Sequence, residues 1–270
     1  MRIAALVTGL LVSALTLFFL AGTAQAGLSI SPAFLEVDMN KGIPSGQFQI
    51  TNTGEEVERY RVKMVYFTFG PDGTFRELPH DEHSLAQWMK FNPKEFAIPP
   101  KSRQAVRFYI PSHGKLRDGE YWAAMQLESL KTTEARASDD RGRNFRFQVI
   151  PSILVPIFAT FGEVRYMGVM KDTKIVSRGN QHGLETVIVN TGQGRLFVEG
   201  EYELLGESGE VEAKGPLGRA YVMPNSERVI LGEIKEPISD GMHTLRVIYR
   251  SSQLKQPLFE EIRLHQGASI

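Results

Sequence analysis

The sequence predicts an all-β protein built as two tandem sandwiches. Three observations carry this. Apolar residues recur at every second position in many short runs, which sets one greasy face per strand. Gly, Pro, Asn and Asp close those runs at regular spacing. A set of landmarks from the first half also returns, in the same order, in the second.

Residues 1–26 stand apart from the fold. Arg2 supplies a positive start, Ile3 to Leu20 an apolar run, and Ala24-Gln25-Ala26 a small-x-small cleavage site. This pattern predicts a cleaved export signal with Gly27 as the mature N-terminus. No later stretch approaches the roughly 18 apolar residues needed to span a bilayer. The remainder, 27–270, is long enough for two domains that each bury a core.

Composition narrows the classes. The chain has no cysteine, so an exported product must be held by packing and ladder bonds, which suits a bacterial envelope. Thiol chemistry and cysteine metal sites are excluded. Lys plus Arg equal Asp plus Glu at 31 each, and losing Arg2 with the leader leaves −1. No basic surplus points to nucleic acid or an anionic membrane.

Along the first half, an alternating strand starts at Leu28, Ile30 and Pro32 and continues through Phe34, Val37 and Met39. Gly42 to Gly46 is turn chemistry. Phe48 and Ile50 alternate with Gln47, Gln49 and Thr51 as far as Asn52-Thr53-Gly54. Tyr60 to Phe67 follow, and Gly70-Pro71-Asp72-Gly73 closes a hairpin. Glu82 to Met89 reads as a helical turn or two with Trp88 inward. Val106, Phe108 and Ile110 mark the next strand, and Tyr121, Ala123, Met125 and Leu127 another after the Asp118-Gly119 turn. Lys131 to Gly142 is polar, small and aperiodic, which predicts a mobile loop. About seven short strands with regular turn signals argue an immunoglobulin-like sandwich over 27–160.

The second half, 161–270, repeats the plan. Asn190-Thr191-Gly192 matches Asn52-Thr53-Gly54, and Pro224-Asn-Ser-Glu-Arg228 resembles Pro100-Lys-Ser-Arg103. Asp240-Gly241 resembles Asp118-Gly119. Common order in all three favours a second related sandwich over one large barrel.

The stretch Asn144 to Phe158 carries the strongest pattern. Phe145, Phe147, Val149, Pro151, Ile153, Val155 and Ile157 line one face, against polar Asn144, Arg146 and Gln148. From Ile150 both faces become apolar, as in a strand that starts half-exposed and ends buried. Pro151 and Pro156 cannot donate ladder bonds, which favours an edge or an interruption. A long hydrophobic edge is a template for another chain. The alternative is a last core strand pairing within its own sheets.

Chemistry is scarce. His80-Asp81-Glu82-His83 is the only histidine cluster, and it lacks the third and fourth ligands of a closed zinc site. It reads as a solvated loop, as do Asp139 and Asp140. Tyr121 and Trp122 read as core. No nucleophile elbow, metalloprotease helix, P-loop or dinucleotide fingerprint occurs. No catalytic residue, metal or cofactor is predicted.

The run L-S-I-S-P-A-F-L-E-V, the strand ending I-T-N-T-G, the segment P-P-K-S-R-Q-A-V-R-F-Y-I-P, the D-G-E-Y-W turn, a polar loop and a long alternating strand follow one another here. Together they resemble the periplasmic pilus chaperones, the PapD-like family, over most of 27–160. The resemblance implies a periplasmic protein whose partner is a pilus-type subunit, with an outer-membrane usher as a further partner. It implies that Phe145, Phe147 and Val149, with Ile153 nearer the cleft, fill a groove where the client lacks a strand. Ladder bonds then give affinity and alternate side chains give register. At roughly 25 cal/mol per Å², three such side chains contribute several kcal/mol before ordering costs.

One family feature is missing. The family holds the client's C-terminal carboxylate with an arginine in the first strand and a lysine in the last strand of the first domain. Here Leu28 to Met39 contains no Arg or Lys, and the lysine's position falls on or beside Leu154. No carboxylate anchor is predicted. A non-catalytic structural or adhesive envelope protein with the same sandwiches is the alternative reading.

Overall fold

The computed structural model describes residues 27–111, 116–178, 181–236, 238 and 241–266. The export signal expected over 1–26, and Asp240 of the third landmark, lie outside them. Among the described residues no helix is long and apolar enough to cross a membrane.

The strand expected from Leu28 to Met39 divides into β1 (Leu28–Ser31) and β2 (Leu35–Asp38). Pro32, which has no N–H for a ladder, sits at the break. Next come β3 (Ser45–Asn52) and β4 (Glu58–Phe69), and β5 (Phe75–Leu78) returns along β4 after the Gly70–Gly73 turn. Glu82–Met89 contains only a 3-10 turn, Leu85–Gln87; Leu85 and Met89 are buried, and Trp88 is half-buried against Tyr121. The strands β6 (Lys90–Asn92), β7 (Glu95–Ile98), β8 (Arg103–Tyr109) and β9 (Gly119–Ser129) follow. The half ends with β10 (Thr133–Ser138), β11 (Asn144–Val149) and β12 (Ser152–Phe161).

One sheet runs β1-β3-β8-β6; the other runs β2-β12-β9-β4-β5, with β7 also on β4. Their inner faces meet in a core of Phe48, Ile50, Val106 and Phe108 against Val62, Met125, Leu127 and Ile157. Each such burial contributes roughly 1.5–3 kcal/mol. The alternation in β3, where Phe48 and Ile50 are sealed and Gln49 is not, is the sandwich rule of one face in and one face out.

The second half forms another sandwich. It comprises β13 (Gly168–Arg178), β14 (Gln181–Asn190), β15 (Leu196–Leu205), β16 (Val211–Val222), β17 (Glu227–Ile234), β18 (Gly241–Arg250) and β19 (Leu258–Gln266). The sheets β13-β14-β17 and β16-β15-β18-β19 enclose Leu184, Ile188 and Ile230 against Leu204, Leu245 and Val247.

The repeated landmarks do the same physical work twice. Asn52 ends β3 fully buried, and its Nδ2 donates to the carbonyls of Glu56 and Ile98 while its Oδ1 accepts from Gly54 N. Asn190 ends β14 fully buried, donating to Gly194 and Val222 carbonyls and accepting from Gly192 N. Its backbone N–H donates to Ser226 O at 2.9 Å, as that of Asn52 does to Ser102 O at 3.0 Å. The second landmark therefore abuts the first in both sandwiches. Its turns place Lys101 and Asn225 at φ of 56° and 54°, a left-handed conformation uncommon outside glycine.

Candidate functional site

The stretch Asn144–Phe158 is not one continuous strand. It is β11 and β12, separated at Ile150-Pro151. Thr133 pairs with Val149 and Glu128 with Ser152, so residues 129–132 face only 150 and 151. The partner strand thus carries a bulge opposite Pro151. Ser129 N still donates to Pro151 O at 2.9 Å.

The mobile loop expected from Lys131 to Gly142 is corrected as well. Thr133–Ser138 is β10 and pairs antiparallel with β11. The signal was there in small residues: Thr133, Ala135 and Ala137 alternate with Glu134, Arg136 and Ser138. Hydrophobicity too low to mark a core face hid it. The hairpin turn is closed by Asp139, which accepts from Arg141 N and Arg143 N at 3.0 and 2.9 Å and from Arg143 Nε at 2.6 Å. Those backbone and guanidinium donors hold its carboxyl below the usual range.

All six residues of β11 are exposed. Phe145 and Phe147 stand 41% and 48% open, stacked nearly parallel with ring centroids 6.4 Å apart. Among the described residues the only ladder partner of β11 is β10, so its other edge is bare. On β12 that same edge is covered, among the described residues, only from Ile157 to Thr160, by parallel pairing with β2. An unpaired row of N–H and C=O groups therefore borders an apolar row of side chains.

Ile153, 40% exposed, has the parity of Val155 and Ile157, which sink into the first core. It is thus the last open position before the row enters the sandwich, and it faces away from the cleft side. The cleft side is Leu154 and Phe158, which join Phe67, Trp122, Ala124 and Met223 in a seam cluster between the two halves. The indole of Trp122 donates to Phe67 O at 2.6 Å.

Leu154, where the family's lysine would fall, lies within that apolar cluster. Register brings other cations near it: Leu154 pairs with Gln126, and Gln126 with Lys63. Lys63 is held by Glu128 at 2.8 Å, which also faces Arg61 at 3.5 Å. Sequence reasoning missed this pair because only the register of β4 on β9 places it.

It also missed a charged cluster in the seam. Arg195, 5% exposed, pairs with Glu120, 1% exposed, and with Glu36. Its backbone N donates to Glu120 Oε2 at 2.7 Å, and its guanidinium lies 3.6 Å from the ring centroid of Phe158. Burial raises the Glu120 carboxyl above its ordinary value, although Arg195 pulls it back. Three separate segments meet here, so no local spacing announces them.

His80 Nδ1 lies 2.9 Å from Ser84 Oγ, and His83 stacks on Trp122 with Nδ1 3.2 Å from Glu120 O. Among the described residues no group of three or more His, Cys, Asp or Glu is arranged to hold a metal. A cavity of about 630 Å³ opens between the halves, lined by Tyr66, Phe69, Arg76, Trp122, Pro224 and Ser226. It does not include β11.

No protein-family model matches the chain, and no curated protein matches it. Solved structures similar to it include the class 5 fimbriae chaperone CfaA, at TM-score 0.46 and 12% identity over 87% of this chain and 98% of that one. Another is the YadV chaperone, at 0.44 and 12% over 88% and 100%. A third is the CsuC–CsuE chaperone–tip adhesion subunit pre-assembly complex of Acinetobacter baumannii, at 0.46 and 15% over 90% and 100%.

Proposed function

We propose that the chain, with 27–160 and 161–270 as its two domains, is a periplasmic chaperone that captures pilus-type subunits by lending them the edge of β11. The observation that carries this is the bare backbone edge of β11 beside exposed Phe145, Phe147 and Val149. A client with an unfinished sheet gains ladder bonds along that edge and buries the three side chains, with Ile153 next in the row. The motifs quoted above for the PapD-like family support the same reading. The alternative of a self-contained structural or adhesive protein needs the stretch paired within its own sheets, and the open edge counts against it.

The client's C-terminus is held differently from the family pattern. Leu154 offers no charge, and an unpaired carboxylate there would be costly to bury. Catalysis and cofactors have no part in the mechanism. The test is co-expression with a pilus-type subunit lacking its last strand, followed by purification from the periplasmic fraction. A stable one-to-one complex is expected. Retention of the subunit by a Phe145→Glu, Phe147→Glu double variant as well as by the unaltered chain overturns the reading.

A further inference from the structure

We propose that β11 chooses its client by charge: the client strand that completes it carries an acidic residue level with Arg146, set between two apolar ones. This rests on reading β11 as the client-binding strand, and it adds the kind of sequence that strand accepts. The polar face of the β10–β11 hairpin is unbalanced. Arg136 lies directly opposite Arg146 in the ladder, and like charges so placed are destabilising. Among the described residues Glu134 is the one carboxylate paired with either, its Oε1 lying 3.2 Å from Arg136 Nε and 3.8 Å from Arg146 Nε. The next acid along the arm, Asp139, is engaged by Arg143 and the turn, and Gln148, opposite Glu134, is uncharged. Two guanidiniums therefore share one carboxylate, and it belongs to β10.

On its other side Arg146, with a side chain 74% exposed, borders the bare edge. A strand added there brings one residue level with Arg146 on the same face of the sheet, and turns that residue's two neighbours to the opposite face. Those neighbours lie level with Phe145 and Phe147, whose rings are exposed and meet only Ala137 and Ala135 across the hairpin. Apolar side chains suit those two places. An acid between them meets Arg146 as an opposite charge and offsets the Arg136–Arg146 opposition, whereas a lysine makes a third cation in the row. The arm gains as well, since a two-stranded ribbon is marginal in water and a third strand supports it. The triplet apolar-acid-apolar reads the same from either end, so the rule holds for a parallel or an antiparallel client.

The probe is a pilus-type subunit lacking its last strand, with lysine placed in turn at each polar position of the strands that border its groove. One such lysine is expected to weaken capture by the unaltered chain about tenfold. Arg146→Glu is expected to restore capture of that one variant and to weaken capture of the unaltered subunit by a similar factor. Arg146→Lys, which keeps the charge, is expected to behave as the unaltered chain does. A misfolded Arg146→Glu chain would restore nothing, so the restoration reads charge directly. If Arg146→Glu rescues no lysine variant, or captures the unaltered subunit as well as the unaltered chain does, the charge rule is overturned. The client reading stands in that case so long as the Phe145→Glu, Phe147→Glu double variant loses the subunit. Capture that survives that double replacement removes the client reading and the charge rule with it.

Discussion

The guanidinium of Arg195, carried by the second sandwich, lies 3.6 Å from the centre of the Phe158 ring on β12 of the first. The same side chain is the partner of buried Glu120. Removing one member of a buried ion pair strands the other charge. Arg195→Ala is expected to destabilise the chain by about 3–5 kcal/mol, and a joint Arg195→Met, Glu120→Gln change to recover most of that. Urea unfolding of the single and double variants checks it. A loss below about 1 kcal/mol, the range of an exposed pair, would sink the idea.

Glu120 also sets a pH response. Its folded-state carboxyl is raised by burial above the ordinary 4.5. The folded chain therefore binds this proton before the unfolded chain does. By linkage, the Glu120 contribution becomes less favourable as pH rises through the window between 4.5 and the raised value, and more favourable as pH falls through it. The expected signature is a difference between the unaltered chain and Glu120→Gln whose pH slope is confined to that window. Denaturation at steps from pH 4 to 8 reads it; a flat difference refutes the assignment.

Asn52 and Asn190 are predicted to be equivalent in energy as in place. Each satisfies two carbonyls and one N–H from full burial. Replacing either with Ala leaves buried backbone groups unpaired, at a cost of about 1–3 kcal/mol. Asn→Asp at either site is expected to be at least as harmful, because the carboxylate cannot donate. Hydrogen exchange localised to the altered sandwich distinguishes a local loss from a general one.

Charged replacements on the arm should separate folding from binding. Phe145→Glu and Phe147→Glu fall on exposed positions, where substitutions usually change stability by no more than about 0.5 kcal/mol. Thermal unfolding is expected to be unchanged while subunit capture is lost. Loss of stability on the scale of a core truncation would mean that the rings are packed rather than presented.

The small-residue strand β10 and the Leu28–Met39 break mark where local pattern ran out. Alternation located β3, β4, β8, β9 and the row of β11 and β12, because a half-buried strand needs an apolar residue at every second position; the three- and four-residue strands β5, β6 and β7 were too short to show it. Thr133, Ala135 and Ala137 are small or weakly apolar, so their alternation was too faint to separate from a loop. In the site, Phe145, Phe147 and Val149 were visible as a row of large apolar side chains. Their exposure was not, since the same row would serve a sealed core.

Sequence alone therefore determined the all-β class, the doubled plan and the greasy row after Asn144, because these depend on the order of side chains along one strand. Tertiary structure decided that, among the described residues, β11 leaves one edge bare and β2 covers β12 only from Ile157 to Thr160, and that Glu36, Glu120 and Arg195 share one seam. Those facts depend on register and on contacts between distant segments. A period of two says which way a side chain points, and nothing about which strand lies beside it.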